Sequence, residues 1–183
     1  MNYGQQENAR VKEQIVKGLF TELKTKPFSE IRIASLIKTA GVGRTSYYRN
    51  FDSKEEIVDY YLSELVQVRR SSQSIPTWTR SSVADNLEDI FSFFLSQKER
   101  FLLLFKSGLS SYVFDYFRNI PKNNPQEGQQ HLPNHNPYLL AFFTGALPSV
   151  LFEWLKRDSP ESPKEMAVML TKMLPPEIFV DEK

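Results

Sequence analysis

The stretch that decides the fold runs from Phe28 to Ile57 and reads FSEIRIASLIKTAGVGRTSYYRNFDSKEEI. Its first part predicts a short amphipathic helix, because apolar side chains recur at helical spacing. These side chains are Ile33, Leu36, Ile37 and Ala40. Gly41-Val42-Gly43 then interrupts the helix, since glycine adopts the positive φ of a tight turn. A second short helix follows over 44–51, so the stretch predicts a helix-turn-helix.

The second helix of this pair is polar on most of its surface. Tyr47 and Phe51, four residues apart, can anchor its inner side. The hydrogen-bond donors on the rest of it are Arg44, Thr45, Ser46, Tyr48, Arg49 and Asn50. Such a helix gains little from packing alone, whereas the DNA major groove offers base edges and phosphates to Arg, Asn, Thr and Ser side chains. The pattern therefore predicts a recognition helix.

The segments on either side complete an N-terminal domain of three helices. An apolar stripe predicts a first helix over residues 8–25, which Pro27 ends. After the helix-turn-helix, Asp52 or Ser53 can cap a fourth helix that reaches about Arg70. We predict a DNA-binding domain over residues 1–55 and a second domain over 56–183.

The rest of the chain also predicts helices only. Residues 71–82 are rich in Ser, Thr and Pro and predict a junction, and helical spacing of apolar residues resumes at Val83. Four prolines predict a loop over 120–137. Two further helices are predicted over Pro137–Arg157 and Pro163–Leu174. The expected fold class is all-α, with a C-terminal helical bundle.

Charge is distributed unevenly along the chain. Residues 1–55 hold ten Lys and Arg against six Asp and Glu, whereas the remainder holds thirteen against sixteen. A basic N-terminal part is typical of a nucleic-acid-binding module. Cysteine is absent, which suits a reducing compartment, and no apolar segment has the roughly twenty residues of a membrane span. We therefore expect a cytoplasmic protein without a membrane partner.

The sequence offers little for catalysis or cofactor binding. His131 and His135 have the spacing of metal ligands on a helix, but Pro133 lies between them in a loop-like segment. No phosphate-binding glycine loop, nucleophile elbow or zinc-protease motif occurs. We expect no metal, no cofactor and no enzymatic activity.

The residues from Ala40 to Ile57 resemble the DNA-binding signature of the TetR/AcrR family of regulators. Seven positions match that signature: Ala40, Gly41, Val42, Tyr48, Phe51, Ser53 and Lys54. The resemblance also extends to a C-terminal helix that contains Gly145 and ends in Trp154-Leu155. The chain departs from the signature at Gly43, Asn50 and Arg32, where the family commonly has Ser, His or Tyr, and Thr. These departures affect the DNA sequence preferred more than DNA binding itself.

The resemblance implies roles for individual side chains. Tyr48 and Lys54 correspond to phosphate contacts, with Asn50 a possible third, and the alternatives are a packed aromatic and an ordinary surface lysine. The implied base-reading residues are Arg44, Thr45, Ser46 and Arg49. The implied partner is double-stranded operator DNA.

The second domain holds most of the aromatic residues, since fifteen of twenty-four Phe, Tyr and Trp follow residue 90. They are expected to form a helical core, and the resemblance implies that some also line a pocket for a small apolar effector. The candidate pocket residues are Phe91, Phe94, Phe105, Tyr112 and Phe117. Tyr112 is the candidate that brings a hydroxyl group to orient a ligand.

The last two helices are expected to form a homodimer interface as a four-helix bundle. The candidate interface residues are Gly145, Leu147, Leu151, Met166, Met169, Leu170 and Met173. The resemblance implies a repressor that occupies a palindromic operator and is released by its effector. A transcriptional activator and a protein-binding co-regulator are the alternatives, although the complete set of donors over 44–54 argues against the latter.

Overall fold

The computed structural model describes residues 3–72, 79–123 and 137–174 together with Phe179, and every regular element in these ranges is helical. The all-α prediction is thus confirmed. The elements are α1 (Tyr3–Leu23), a 3-10 helix (Phe28–Glu30), α2 (Ile33–Ala40), α3 (Arg44–Asn50), α4 (Lys54–Ser72), α5 (Val83–Ser96), α6 (Lys98–Leu104), a π-helical turn (Phe105–Leu109), α7 (Ser110–Asn123), α8 (Pro137–Lys156) and α9 (Pro163–Met173).

Most predicted helices are present, and the differences lie at their ends. α3 ends one residue before Phe51, whose backbone is extended at φ −146° and ψ 131°. α7 continues to Asn123, so the prediction of a loop from residue 120 was wrong for its first four residues. The apolar spacing of Tyr112, Tyr116 and Ile120 carries the helix onward. The rest of that loop, 124–136, and most of the predicted junction, 73–78, lie outside the described residues.

The first of two compact units comprises Met1–Val68 and Leu103–Ser111. Its largest fully buried side chains are Ile15, Leu19, Leu36, Tyr47, Ile57, Leu62 and Leu104. This unit extends past residue 55, because the first half of α4 packs against α1, with the rings of Phe20 and Tyr61 edge to face at 4.7 Å. The π-helical turn also belongs to this unit and packs on the 3-10 helix.

The second compact unit comprises Arg69–Leu102 and Tyr112–Lys183. Within it, α5 packs mainly on α9 and also contacts α8. α9 begins with a capping box, in which Ser162 and Glu165 satisfy each other's backbone N–H groups, and Pro163 is its first residue. In the described part of the chain, no helix combines the length and apolar character that a membrane span requires.

Candidate nucleic-acid interface

The turn between α2 and α3 depends on Gly41. Its backbone is left-handed, with φ +66° and ψ 31°, and its N–H donates to the carbonyl groups of Ile37 and Lys38. The N–H of Val42 also donates to the Ile37 carbonyl, at 3.2 Å. Glycine adopts this conformation without the steric cost that a Cβ atom brings, so the predicted glycine turn is confirmed.

α3 is anchored by Tyr47, which has no exposed surface. Its ring lies 6.4 Å from that of Phe51, the second predicted anchor, and 5.2 Å from that of Tyr48. Burial raises the pKa of Tyr47 to about 12, and its hydroxyl group has no hydrogen-bond partner among the described residues. The inner face of α3 therefore fixes the rotation of the helix, and with it the side chains on the outer face.

The outer face of α3 presents hydrogen-bond donors to solvent. Arg44, Thr45 and Arg49 are exposed, Tyr48 is 45% exposed and Ser46 is half-buried. The Arg44 guanidinium lies 5.7 Å from the centre of the Tyr48 ring, a cation–π arrangement one helical turn apart. Five of the predicted DNA-binding side chains thus share one short helix and lie at least partly at its surface.

Asn50 is less available than its position in the sequence suggests. Its side-chain amide donates to the carbonyl oxygen of Ser46 at 2.8 Å, one turn back along α3. Its side-chain oxygen is buried and has no hydrogen-bond partner among the described residues. This orientation favours a role in ending α3 over the phosphate contact that the resemblance implied.

Lys54 also lies differently from expectation. Its ammonium group donates to the carbonyl oxygen of Phe28 at 2.6 Å and to those of Ser29 and Ile31 at 3.3 Å. It also lies 4.5 Å from the centre of the Phe28 ring. A lysine ammonium has three N–H donors, and three protein acceptors occupy them here. The side chain therefore holds the 3-10 helix rather than extending freely into solvent.

A buried carboxylate that the sequence analysis did not single out joins α1 to α2. Glu22 accepts hydrogen bonds from Lys26 at 2.7 Å, from Ser35 at 2.9 Å and from Thr39. The hydrogen bond from Lys26, then that from Thr39, lowers the pKa of Glu22 to about 2 from its ordinary value of 4.5. A charged residue at a mostly apolar register of α1 was the available signal.

α1 and α2 also approach each other closely at Gly18. A Cβ atom there would lie 2.7 Å from the Cβ atom of Ala40 and 3.0 Å from its Cα atom. The end of α2, directly before the Gly41 turn, therefore rests against the backbone of α1. This requirement for glycine is not visible in the sequence, because Gly18 has no turn signal around it.

The predicted effector-pocket residues are divided between the two compact units. Phe105 belongs to the first unit, while the other four belong to the second. Phe91 is buried edge to face against Trp154 at 5.0 Å, and Phe94 packs on Phe117 at 5.4 Å. Rings that sequence analysis left outside the pocket, those of Phe101 and Phe152, complete this cluster. These contacts show that the aromatic rings of the second unit build a core.

The predicted dimer residues divide into two sets. Leu151, Met166 and Leu170 are buried within the protomer, at 3%, 3% and 8% exposure. Met169 and Met173 face outward, at 38% and 66% exposure, and Val168 beside them is 43% exposed. Gly145 and Leu147 are half-buried on α8. Apolar spacing identified the helix but not its outward face, so the buried three are core residues.

The described residues add no metal site. His131 and His135 lie outside the described residues. Among the residues that are described, no group of three or more His, Asp or Glu side chains is arranged to hold an ion.

A helix-turn-helix with donors on its second helix, followed by a separate helical unit, defines the class of helix-turn-helix transcription regulators. Residues 82–176, just over half of the chain, match the family model described as the C-terminal region of TetR-type transcriptional regulators. The chain belongs to the TetR family of transcriptional regulators. Family and fold together point to a regulator and away from an enzyme.

Solved structures share this fold. The crystal structure of a TetR transcriptional regulator from Streptococcus agalactiae 2603V has a TM-score of 0.67 and 18% identity, covering 93% of this chain and 96% of that one. The dihydroxyacetone kinase operon activator DhaS has a TM-score of 0.57 and 11% identity, covering 89% and 93%. Identities this low establish likeness of fold only. No curated protein sequence matches the chain.

Proposed function

We propose that the chain binds double-stranded DNA through α3, as a homodimer on a palindromic operator, and represses transcription until a small apolar effector releases it. The observation that carries DNA binding is the contrast between the two faces of α3. Tyr47 is fully buried, while Arg44, Thr45 and Arg49 are exposed on the same seven-residue helix. An isolated helix of this length is not stable, so the fold maintains it to present its outer face.

The chemistry of that outer face suits the major groove. Arginine donates two parallel hydrogen bonds to guanine, and Thr and Ser hydroxyl groups reach base edges or phosphates. The Tyr48 ring supports the Arg44 guanidinium and restricts its motion before DNA arrives. We assign Arg44, Thr45, Ser46 and Arg49 to base reading, and the hydroxyl group of the exposed Tyr48 to a phosphate.

Selection of bound fragments from random and genomic DNA pools tests this proposal. We expect a palindrome whose half-sites are separated by about one helical turn or a multiple of it, and an affinity that falls steeply with salt. Folded protein that enriches no palindrome would contradict DNA recognition by a dimer. A chain that binds no DNA would instead support the protein-binding co-regulator.

Substitution of Arg44 tests the assignment of base-reading residues. Arg44→Ala is expected to cost about 1–3 kcal/mol of binding free energy and to relax the preference at one or two base pairs. Arg157→Ala, in an exposed residue of the second unit, is the matched control and should leave binding unchanged. If both variants retained the full sequence preference, the readers would lie elsewhere.

The outward face of α9 supports the homodimer. Val168, Met169 and Met173 form an apolar strip, and charges of both signs border it at Lys164, Glu165 and Lys172. A two-fold axis brings a surface against its own copy, so a strip bordered by both signs can pair apolar residues centrally and opposite charges at the rim. The dimer interface that we propose therefore uses Met169 and Met173 from the sequence prediction, and adds Val168.

The second unit is the proposed site of the effector. On α7, the rings of Tyr112, Phe114 and Phe117 are each half-buried, so apolar surface remains that a small ligand can cover. Thermal-shift screening should find compounds that raise the melting temperature and weaken DNA binding. Stabilisation by highly charged compounds alone would contradict an apolar effector.

Activation is the second candidate for the sign of regulation. DhaS, which has the same fold, is an operon activator. Transcription in vitro from a promoter that carries the selected operator distinguishes a repressor from an activator. We expect added protein to lower the transcript yield and effector to restore it, whereas a rise with added protein would identify an activator.

A further inference from the structure

Lys54 occupies an unusual electrostatic position. It is the first residue of α4, a helix of nineteen residues, where the partial positive charge of the helix N-terminus disfavours a cation. Glu55 and Glu56, the acidic residues of the first turn, have the charge that this position prefers. A lysine here requires compensation from outside α4.

The 3-10 helix supplies this compensation. The carbonyl oxygens of Phe28 and Ser29 in this helix, and that of its C-cap residue Ile31, converge on the Lys54 ammonium at 2.6–3.3 Å. These carbonyl groups belong to the segment that follows α1, more than twenty residues earlier in the chain. The Phe28 ring, at 4.5 Å from the ammonium, adds a cation–π contact. Lys54 thus ties the start of α4 to the connection between α1 and α2.

That connection directly precedes the helix-turn-helix. Arg32, one residue after Ile31, is the N-cap of α2 and has no side-chain capping bond. The 3-10 helix has only two backbone hydrogen bonds of its own, from Glu30 to Pro27 and from Ile31 to Phe28. So short an element holds its shape poorly by itself. The 3-10 helix is therefore held largely by contacts from outside it, and Lys54 makes three such contacts, to Phe28, Ser29 and Ile31.

We propose that Lys54 is a positioning residue for DNA binding, which fixes the 3-10 helix and the start of α2, and that it is not a phosphate ligand. This inference rests on the proposed DNA-binding function. It reverses the role that the family resemblance implied, because an ammonium whose three donors are taken has none left for a phosphate oxygen.

Amide hydrogen exchange of the free protein tests, without DNA, whether Lys54 holds the 3-10 helix in place. In Lys54→Met, which keeps the aliphatic stem over Phe28, the Glu30 and Ile31 amides should exchange about tenfold faster, as expected for the loss of a charge-assisted hydrogen bond. Lys54→Arg should also speed the exchange of these two amides, because a planar guanidinium does not reproduce the three hydrogen bonds of an ammonium. Lys24→Met, in an exposed residue of the same unit, is the control and should change neither amide.

The salt dependence of operator binding separates positioning from phosphate contact. A lost phosphate contact lowers the slope of log affinity against log salt by about one per protomer. We expect Lys54→Met to weaken binding about tenfold with the wild-type slope. Arg32→Met, at an exposed cation that directly precedes α2 and lies outside the base-reading set, is the comparison and should reduce the slope. Lys54→Arg provides a folded alternative if Lys54→Met does not fold.

Three results would overturn the inference. If Lys54→Met reduced the slope of log affinity against log salt, Lys54 would be a phosphate ligand. The same conclusion would follow if Lys54→Arg bound DNA with wild-type affinity and left the exchange of the Glu30 and Ile31 amides unchanged. If Lys54→Met exchanged these amides faster but bound DNA with unchanged affinity, the Lys54 hydrogen bonds would be local contacts without effect on DNA binding. Wild-type protein that binds no operator would instead refute the proposed function, and the exchange experiment would still decide whether Lys54 holds the 3-10 helix.

Discussion

Different interactions stabilise the interior of each of the two compact units. In the first, polar groups at the edges of the core fix helix to helix: Glu22, with 8% of its side chain exposed, joins α1 to α2, and Lys54 joins α4 to the 3-10 helix. In the second, aromatic rings dominate the core, and the ion pair of Lys98 with Asp158 has a carboxylate side chain that is 93% exposed.

This contrast is consistent with the different demands on the two units, because the first carries the helix-turn-helix. Hydrogen bonds are directional and require short distances, so they restrict the angle and register between two helices. Apolar packing is less directional, and a core can repack while keeping its volume. A helix-turn-helix that places donors on base edges gains from the first kind of restraint. Substitutions at Phe101, Glu22, Gly18 and Met173 should therefore lower the free energy of unfolding by successively smaller amounts.

The largest effect is expected at Phe101 of the second unit. Its ring is fully buried and lies 5.2 Å from that of Phe94 and 5.9 Å from that of Phe152. Phe101→Ala should lower the free energy of unfolding by about 3–5 kcal/mol, because it leaves a cavity among the rings. Denaturant titration at fixed protein concentration measures this. Tyr138→Ala, at a ring that is 84% exposed, is the control, and equal losses in both variants would contradict the aromatic core.

The second prediction concerns Glu22 and pH. The pKa of Glu22 is lowered to about 2, so its stabilising contribution is complete above the ordinary value of 4.5 and is lost as the pH falls from there towards 2. Glu22→Gln should cost roughly 2–3 kcal/mol at neutral pH, and the difference from wild type should vanish near the lower value. Unfolding curves across this pH range provide the measurement.

Glu13→Gln is the matched control on the same helix. Glu13 pairs with Lys17 at the surface, where both side chains are more than 60% exposed, so its loss should change stability by less than about 0.5 kcal/mol. A Glu22→Gln protein that follows the wild-type pH profile would show that the carboxylate does not hold α1 and α2 together.

The third prediction tests the close approach of α1 and α2. Gly18→Ala should destabilise by about 1–2 kcal/mol, because the new Cβ atom would lie 2.7 Å from that of Ala40. The expected sign is informative, since alanine in a helix normally stabilises by about 1 kcal/mol relative to glycine. Gly145→Ala on α8, where a Cβ atom meets nothing within 4 Å in the protomer, should show that gain. Stabilisation by Gly18→Ala would mean that the helices separate easily.

The smallest effect on protomer stability is expected on the outward face of α9. Met173→Glu, at a side chain that is 66% exposed, should change the free energy of unfolding of the single chain by less than about 0.5 kcal/mol, and it should dissociate the proposed dimer in sedimentation experiments. Leu170→Glu places a charge in the core instead and should unfold the second unit. A Met173→Glu protein that remains dimeric would move the interface away from this face.

Much of the fold could be predicted because the relevant signals are local. The spacing from Ile33 to Ala40, the Gly41 turn and the buried Tyr47 anchor are all present where the pattern placed them. The concentration of donors on α3, from which we predict a recognition helix, could be seen in the sequence for the same reason. The roles of Asn50 and Lys54 could not be inferred in this way, because their partners are a carbonyl group one turn back and a segment more than twenty residues away.

The sequence by itself determined the all-helical fold class, the glycine turn and the family, since these depend on residue type and short-range spacing. Only the tertiary structure decided which side of each helix is buried. It turned Leu170 inward and Met173 outward on the same helix, and it directed Lys54 to backbone carbonyl groups. The physical reason is that burial and hydrogen bonding depend on neighbours brought together by folding. Residues with the same local pattern can therefore end in opposite environments.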